Sequence, residues 1–411
     1  MAGGGRAWAS GAVGLCLLLL PLTGCGGGRT ASGPAMAEVQ QVLDRRAAAV
    51  LGHDQRAYTE TGTRASYADL RAVPLAEWSY RLTALHPDGA GATAEARLSY
   101  RIQGYDRAPV TTDRALTLSR TADGHWYVAA DKPGRKAGQQ LWDQGTVTAV
   151  EGAHSLVLGV GQSGDTLREY AGLADTAVPA VSKAWGTQWT QRVVLVVPRS
   201  LNGMAGLLGA PASNYRGIAA VTTGEVSEAN GGSSPSKTGA GSGRTPADRV
   251  ILNPEAYAVL GSVGKQVVLT HETTHVATRT HTSAATPLWL SEGYADWIGY
   301  LGTGRTAPEA APELARAVQD GDLPEDLPVD KDFGFTDDPT KLAEAYEGGW
   351  LACRMIAAHW GQERLDAFYR AVGAHQGRTG AVEDALRGEL GTTSADFTAR
   401  WRDYLTDQLG E

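Results

Sequence analysis

The chain has 411 residues and a formal net charge of −8, with acidic and basic residues interspersed. It carries no run of Lys or Arg, so the electrostatic footprint of a nucleic-acid binder is missing and nucleic acid is excluded as a partner. The length suffices for two domains with separate cores.

Residues 1–24 read as a signal peptide. Arg6 precedes an apolar run from Ala12 to Leu22, too short to span a bilayer comfortably and shaped like a secretory h-region. The run ends in Leu22-Thr23-Gly24-Cys25, which resembles the bacterial lipobox. That resemblance implies a lipid on Cys25 and an extracytoplasmic protein anchored to the cell membrane. Residues 25–35 are rich in Gly, Ser and Thr and predict a flexible tether. Of the three cysteines, Cys16 leaves with the signal and Cys25 becomes the anchor. Cys353 is left alone in an apolar helix, so the mature monomer has no disulfide, and the residue reads as a small core side chain.

Residues 36–135 predict a small domain of helices followed by an antiparallel sheet. Val39, Val42, Leu43, Ala47 and Val50 repeat at helical spacing from Met36 to Leu51, and a second helical piece follows near Gln55–Thr59. From Trp78 the period changes to two. Trp78–Leu85, Gly91–Ile102, Val110–Arg120 and Gly124–Ala130 alternate between turn signals such as Pro87-Asp88-Gly89. The element order resembles the NTF2-like cone fold. No polar cluster marks a site in it; His53, His86 and His125 each lie beside a turn.

The second domain spans 140–411. Leu141-Trp142 to Val160 reads as strands, Leu167–Ala184 as a helix, and Gln191–Val197 as a buried strand stopped by Pro198. Gly217–Thr222 and Arg249–Leu252 are further strand candidates. The stretch 227–248, rich in Gly and Ser, predicts a flexible loop that either covers a cleft or has no role. Past residue 310 the chain reads as helices at Ala311–Gln319, Thr340–Trp360, Glu363–Val372, Ala381–Leu390 and Ser394–Leu409, the last capped by Thr393 or Ser394. The fold class expected overall is α+β.

The chemistry concentrates in Val267-Val268-Leu269-Thr270-His271-Glu272-Thr273-Thr274-His275. On a helix, residues four apart share a face one turn apart, so His271 and His275 can aim two imidazoles at one zinc ion. Glu272 points elsewhere and can reach a water in the metal's open position, which suits a general base. The apolar flanks place this helix in a core. Glu292, seventeen positions after His275 and past Thr286-Pro287, supplies a third ligand. Three protein ligands with one open position describe a catalytic zinc, not a structural one. Asp296, one turn after Glu292, can accept the outer ring N–H of a zinc-bound histidine; the alternative is a solvated helix residue.

His-Glu-Thr-Thr-His followed by Trp289-Leu290-Ser291-Glu292-Gly293-Tyr294-Ala295 resembles the gluzincin metallopeptidases, the thermolysin-like and M1-aminopeptidase-like clan. Ala345-Tyr346-Glu347-Gly348-Gly349 resembles the Y-E-K-G-A segment of the M1 enzymes. The resemblance implies a domain with a β-containing upper lobe and a helical C-terminal lobe, zinc as cofactor and a peptide or protein as substrate. It also implies that Tyr346 donates to the oxyanion, and that an edge strand, here Gly217–Thr222, pairs with extended peptide. One departure matters. The acidic G-x-M-E-N segment that holds a substrate's free amine in M1 aminopeptidases corresponds to Gly217-Ile218-Ala219-Ala220-Val221-Thr222, which has no acidic residue; Glu225 lies outside the pattern. The activity expected is therefore peptide-bond hydrolysis, endo or exo undecided. An M1-like aminopeptidase, or a non-enzymatic lipoprotein with a vestigial zinc lobe, is the alternative.

Overall fold

Alternation of apolar and polar residues builds the first sheet. The computed structural model describes residues 33–63, 65–224, 247–334 and 338–410; the signal segment, Cys25, Glu225 and most of 227–248 lie outside them. Helices α1 (Gly33–Leu51), α2 (Gln55–Thr61) and α3 (Ala65–Leu70) precede strands β1 (Leu75–Asp88), β2 (Gly91–Ile102), β3 (Val110–Arg120) and β4 (Trp126–Pro133). The strands form an antiparallel meander in sequence order. Trp78, Tyr80 and Leu82 on β1 and Ala94, Ala96, Leu98 and Tyr100 on β2 turn inward against Val39, Val42, Leu43 and Val50 of α1. Each such large side chain contributes about 1.5–3 kcal/mol by leaving water. Helix α1 takes in Gly33-Pro34-Ala35, assigned above to the tether. Proline is tolerated in a first helical turn, where its missing N–H has no intrahelical partner.

Leu141–Asp143, expected as strand, is a 3₁₀ turn. Two interactions fix it. Trp142 packs edge-on against Trp78 and Tyr100, with ring centroids 5.3 and 5.1 Å apart. Asp143 takes both terminal nitrogens of the buried Arg114, at 2.9 and 2.7 Å, while Arg114 Nε reaches Asp131 at 2.7 Å.

The second sheet runs in the order β5 (Val147–Glu151), β6 (Ser155–Val160), β7 (Val193–Val197), β9 (Asp248–Leu252), β8 (Ala220–Gly224). Strands β6, β7 and β9 are parallel, and β5 and β8 are antiparallel edges. Every residue of β6 and β7 is buried, as expected of strands covered on both faces. One face packs on helix α4 (Gly164–Trp185), which links β6 to β7. The other face, through Leu158, Val194, Val196 and Ile251, joins the core of the first sheet together with helix α5 (Leu201–Leu208). The edge strand begins at Ala220, not Gly217, and Asp248, assigned above to the loop, opens β9.

A buried ion pair also joins the two sheets. Asp106, in the turn after β2, takes Arg249 of β9 in a bidentate grip at 2.7 and 2.8 Å.

The remainder is helical: α6 (Pro254–Ala258), α7 (Ser262–Thr278), α8 (Leu288–Tyr300), α9 (Ala307–Ala310), α10 (Pro312–Gln319), α11 (Pro339–Trp360), α12 (Gln362–Ala374), α13 (Ala381–Ala385) and α14 (Ser394–Leu409). Helix α7 covers the same sheet face as α4, through Leu269 and Val276. Helices α8 and α11–α14 close around Trp289, Leu351, Phe368, Phe397 and Trp401. The chain is thus α+β, with antiparallel sheet first and helices last. No described helix is long and apolar enough to cross a membrane.

Candidate metal centre

Helix α7 is unusual in burying four threonines near its C-terminal half. Thr270, Thr274 and Thr278 each donate to the carbonyl four residues back, at 2.8, 2.8 and 2.9 Å. These three hydroxyls are thereby satisfied without solvent, while the buried Thr273 hydroxyl has no hydrogen-bond partner among the described residues. His271 and His275 emerge on one face, as the four-residue spacing requires.

Helix α8 is held against α7 and α11 by glycine. A Cβ on Gly293 would lie 2.2 Å from the carbonyl oxygen of Gly349, and one on Gly349 would lie 2.7 Å from that of Trp289. Only glycine allows the two backbones to approach so closely. This approach sets Glu292 of α8 and Tyr346 of α11 at the same place.

Three of the expected ligand atoms meet. His271 Nε2 and His275 Nε2 are 3.0 Å apart, and Glu292 Oε2 lies 3.2 Å from the first and 3.3 Å from the second. Among the described residues, this is the one group of three His, Cys, Asp or Glu side chains clustered as metal ligands would be. An ion with arms of about 2.0–2.1 Å holds its tetrahedral ligand atoms about 3.3 Å apart, so the triangle has the edges such an ion needs. Asp296 Oδ1 accepts from His271 Nδ1 at 2.7 Å. That bond leaves the His271 Nε2 lone pair facing the centre.

The electrostatics call for a cation. Burial works against charging the His271 ring, but Asp296, Glu292 and Glu272 outweigh it and hold its pKa well above the ordinary imidazole value. Burial alone would raise the Glu292 pKa; the two imidazoles outweigh it and hold that carboxyl well below the usual carboxylate range. Three carboxylates thus surround two imidazoles, and a divalent ion would balance the excess negative charge.

Glu272 is buried, and its Oε2 accepts from Thr222 Oγ1 of β8 at 2.6 Å. Tyr346 lies within reach of the same charges. Its burial, reinforced by Glu292, Asp296 and Glu272, pushes its phenol well above 10, so the hydroxyl remains a donor. Its ring rests edge-on against Phe333, centroids 5.1 Å apart. All six residues expected at the site, apart from the lipidation cysteine, are therefore brought together. Sequence reasoning missed Thr222, Phe333 and the Gly293–Gly349 contact. The doubled glycine in Tyr346-Glu347-Gly348-Gly349 was the available signal for the last.

Fold and site define an α+β protein with a two-histidine, one-glutamate centre and a carboxylate neighbour on the same helix. No protein-family model matches the chain, and no curated protein matches it. Among solved structures it is similar to native yeast LTA4 hydrolase, at a TM-score of 0.37 and 10% identity. That match covers 80% of this chain and 59% of the hydrolase, so the chain spans less than two thirds of the hydrolase's length. It is also similar to a two-domain M1 zinc metallopeptidase bound to L-arginine, at a TM-score of 0.37 and 11% identity, over 83% of this chain and 96% of that one. At this level the likeness identifies no family for the chain.

Proposed function

We propose that the chain is a zinc-dependent metallopeptidase that hydrolyses peptide bonds outside the cytoplasm, tethered to the cell membrane through Cys25. The observation that carries this reading is the triangle of His271 and His275 from α7 with Glu292 from α8, with Glu272 beside the two histidines on α7. The donor set suits zinc: two imidazole nitrogens, one carboxylate oxygen and an outer carboxylate, Asp296, fixing one ring. When bound, zinc would polarise the scissile carbonyl and acidify a water in its open position.

The protein's own groups do the remainder. Glu272 accepts a proton from the attacking water and delivers it to the leaving amine. Tyr346 donates its O–H to the oxygen that gains charge as the carbonyl carbon becomes tetrahedral. Asp296 holds the His271 ring in one tautomer. Among the described residues strand β8 has one hydrogen-bonded neighbour, β9, and its other edge would take an extended peptide. The N-terminal unit, helices before a four-stranded meander, supports an NTF2-like module between the anchor and the peptidase.

The test is cleavage of an unbiased peptide mixture, with free and blocked N-termini, by wild type and Glu272→Gln. Cleavage that falls about 10²–10⁴-fold in the variant supports the assignment; equal cleavage by both, or none by either, contradicts it. Cleavage of blocked peptides distinguishes an endopeptidase from an aminopeptidase.

A further inference from the structure

We infer that Thr222 is a positioning residue for the base, holding the Glu272 carboxylate in the one orientation that leaves its second oxygen free for proton transfer. The inference rests on the metallopeptidase reading of the site.

Thr222 is on the edge strand β8, and its side chain is buried. Its hydroxyl lies 2.6 Å from Glu272 Oε2 and 3.1 Å from the Glu272 carbonyl oxygen. A hydroxyl has one proton to give. The shorter contact is to the side-chain oxygen, and at 2.6 against 3.1 Å it is the stronger of the two. Thr270, Thr274 and Thr278 of α7 spend their hydroxyls on their own helix, four residues back. Thr222 instead reaches across from another element to the one carboxylate assigned to proton transfer. A glutamate side chain turns about three torsions, and this bond removes most of that freedom. Oε2 is thereby engaged, and Oε1 is left as the acceptor.

The placement has a second consequence. Residues alternate across a strand, so β8 can offer its backbone edge to substrate while its Thr222 side chain faces α7. One element then sets both the register of the peptide and the position of the base.

The test uses the full-length chain as wild type, Thr222→Val and Thr222→Ser, with zinc content, kcat and KM on a cleaved peptide, and crystal structures of each. Thr222→Val keeps the shape and loses the hydroxyl. It is expected to bind zinc as wild type does and to keep KM within about twofold, while kcat falls about 10–100-fold. Glu272 is expected to occupy one rotamer in the wild-type crystal and several in the Thr222→Val crystal. Thr222→Ser restores the single rotamer and most of the rate. In a Glu272→Gln background, Thr222→Val adds no further loss. A Thr222→Val enzyme with wild-type kcat, or with Glu272 unmoved in the crystal, overturns the inference. A loss that Thr222→Ser does not restore also overturns it, because it marks a merely structural strand–helix tie. Should Thr222→Val fail to fold, Thr222→Ala replaces it with the same expected losses. A wild type without zinc or without Glu272-dependent turnover refutes the peptidase reading; the rotamer comparison still decides whether Thr222 orients Glu272.

Discussion

Replacing Asp106 with Ala should destabilise the protein by about 3–5 kcal/mol, the usual cost of removing one member of a buried ion pair. The Asp106 side chain is wholly buried and that of Arg249 is 5% exposed. Two bonds of 2.7 and 2.8 Å join them, and Asp106 also accepts the Ile102 backbone N–H at 2.8 Å. The variant therefore removes the acceptor of both guanidinium bonds between the two sheets and takes away the acceptor of a backbone donor. The Asp248 carbonyl, 3.0 Å from Arg249 Nη1, is a neutral acceptor and does not replace the lost carboxylate. Asp106→Asn keeps one acceptor for Ile102 and should cost less. Asp106→Leu combined with Arg249→Met removes both charges and should recover most of the loss. Urea unfolding followed by tryptophan fluorescence measures all four proteins. A loss below about 1 kcal/mol for Asp106→Ala, or a double variant no better than the single, would refute the reasoning.

Tyr346→Phe should lower kcat about 10²–10³-fold with little change in KM, because the hydroxyl acts on charge that exists only in the transition state; a change confined to KM contradicts that role. Cys353 is fully buried, and burial, helped by Asp296, pushes its thiol well above 9. In the chain from residue 33 it should resist maleimide at pH 8 until the protein is unfolded in guanidinium, with fast labelling of the native form as the contrary result. Glu347 is buried with its carboxylate on the Leu314 N–H at 2.6 Å, and burial lifts its pKa to about 8. The folded state then holds this proton more tightly than the unfolded state. Its stabilising contribution is fully present below the unfolded value of 4.5 and is lost as pH rises through about 8. Glu347→Gln should flatten that part of the stability–pH curve, and an unchanged slope would show that Glu347 does not cause it.

The elements that local pattern dictates were legible in the sequence. Strands β2 and β3 begin and end where the period-two alternation does, and Thr393 caps α14 by accepting from the Asp396 N–H. His271 and His275 were legible because their four-residue spacing sets two imidazoles on one helix face, and Glu292 because it follows them in a second apolar segment. What stayed hidden depends on partners remote in sequence. Leu141-Trp142 is apolar and β-like, but the Trp142 contacts with Trp78 and Tyr100 and the Arg114–Asp143 pair bend it into a 3₁₀ turn. The Asp106–Arg249 pair spans 143 positions, and neither residue has a local pattern that announces it. Thr222 reads as one β-branched strand residue among several until the fold sets Glu272 against it.

The central claim is that His271, His275 and Glu292 hold one zinc ion. The measurement that tests it most directly is metal content, by elemental analysis, of the purified chain as wild type, His275→Ala and Glu272→Gln. The account predicts about one zinc per chain in wild type and Glu272→Gln, and none in His275→Ala. A wild-type chain that takes up no zinc, or a His275→Ala chain that retains it, would contradict the account.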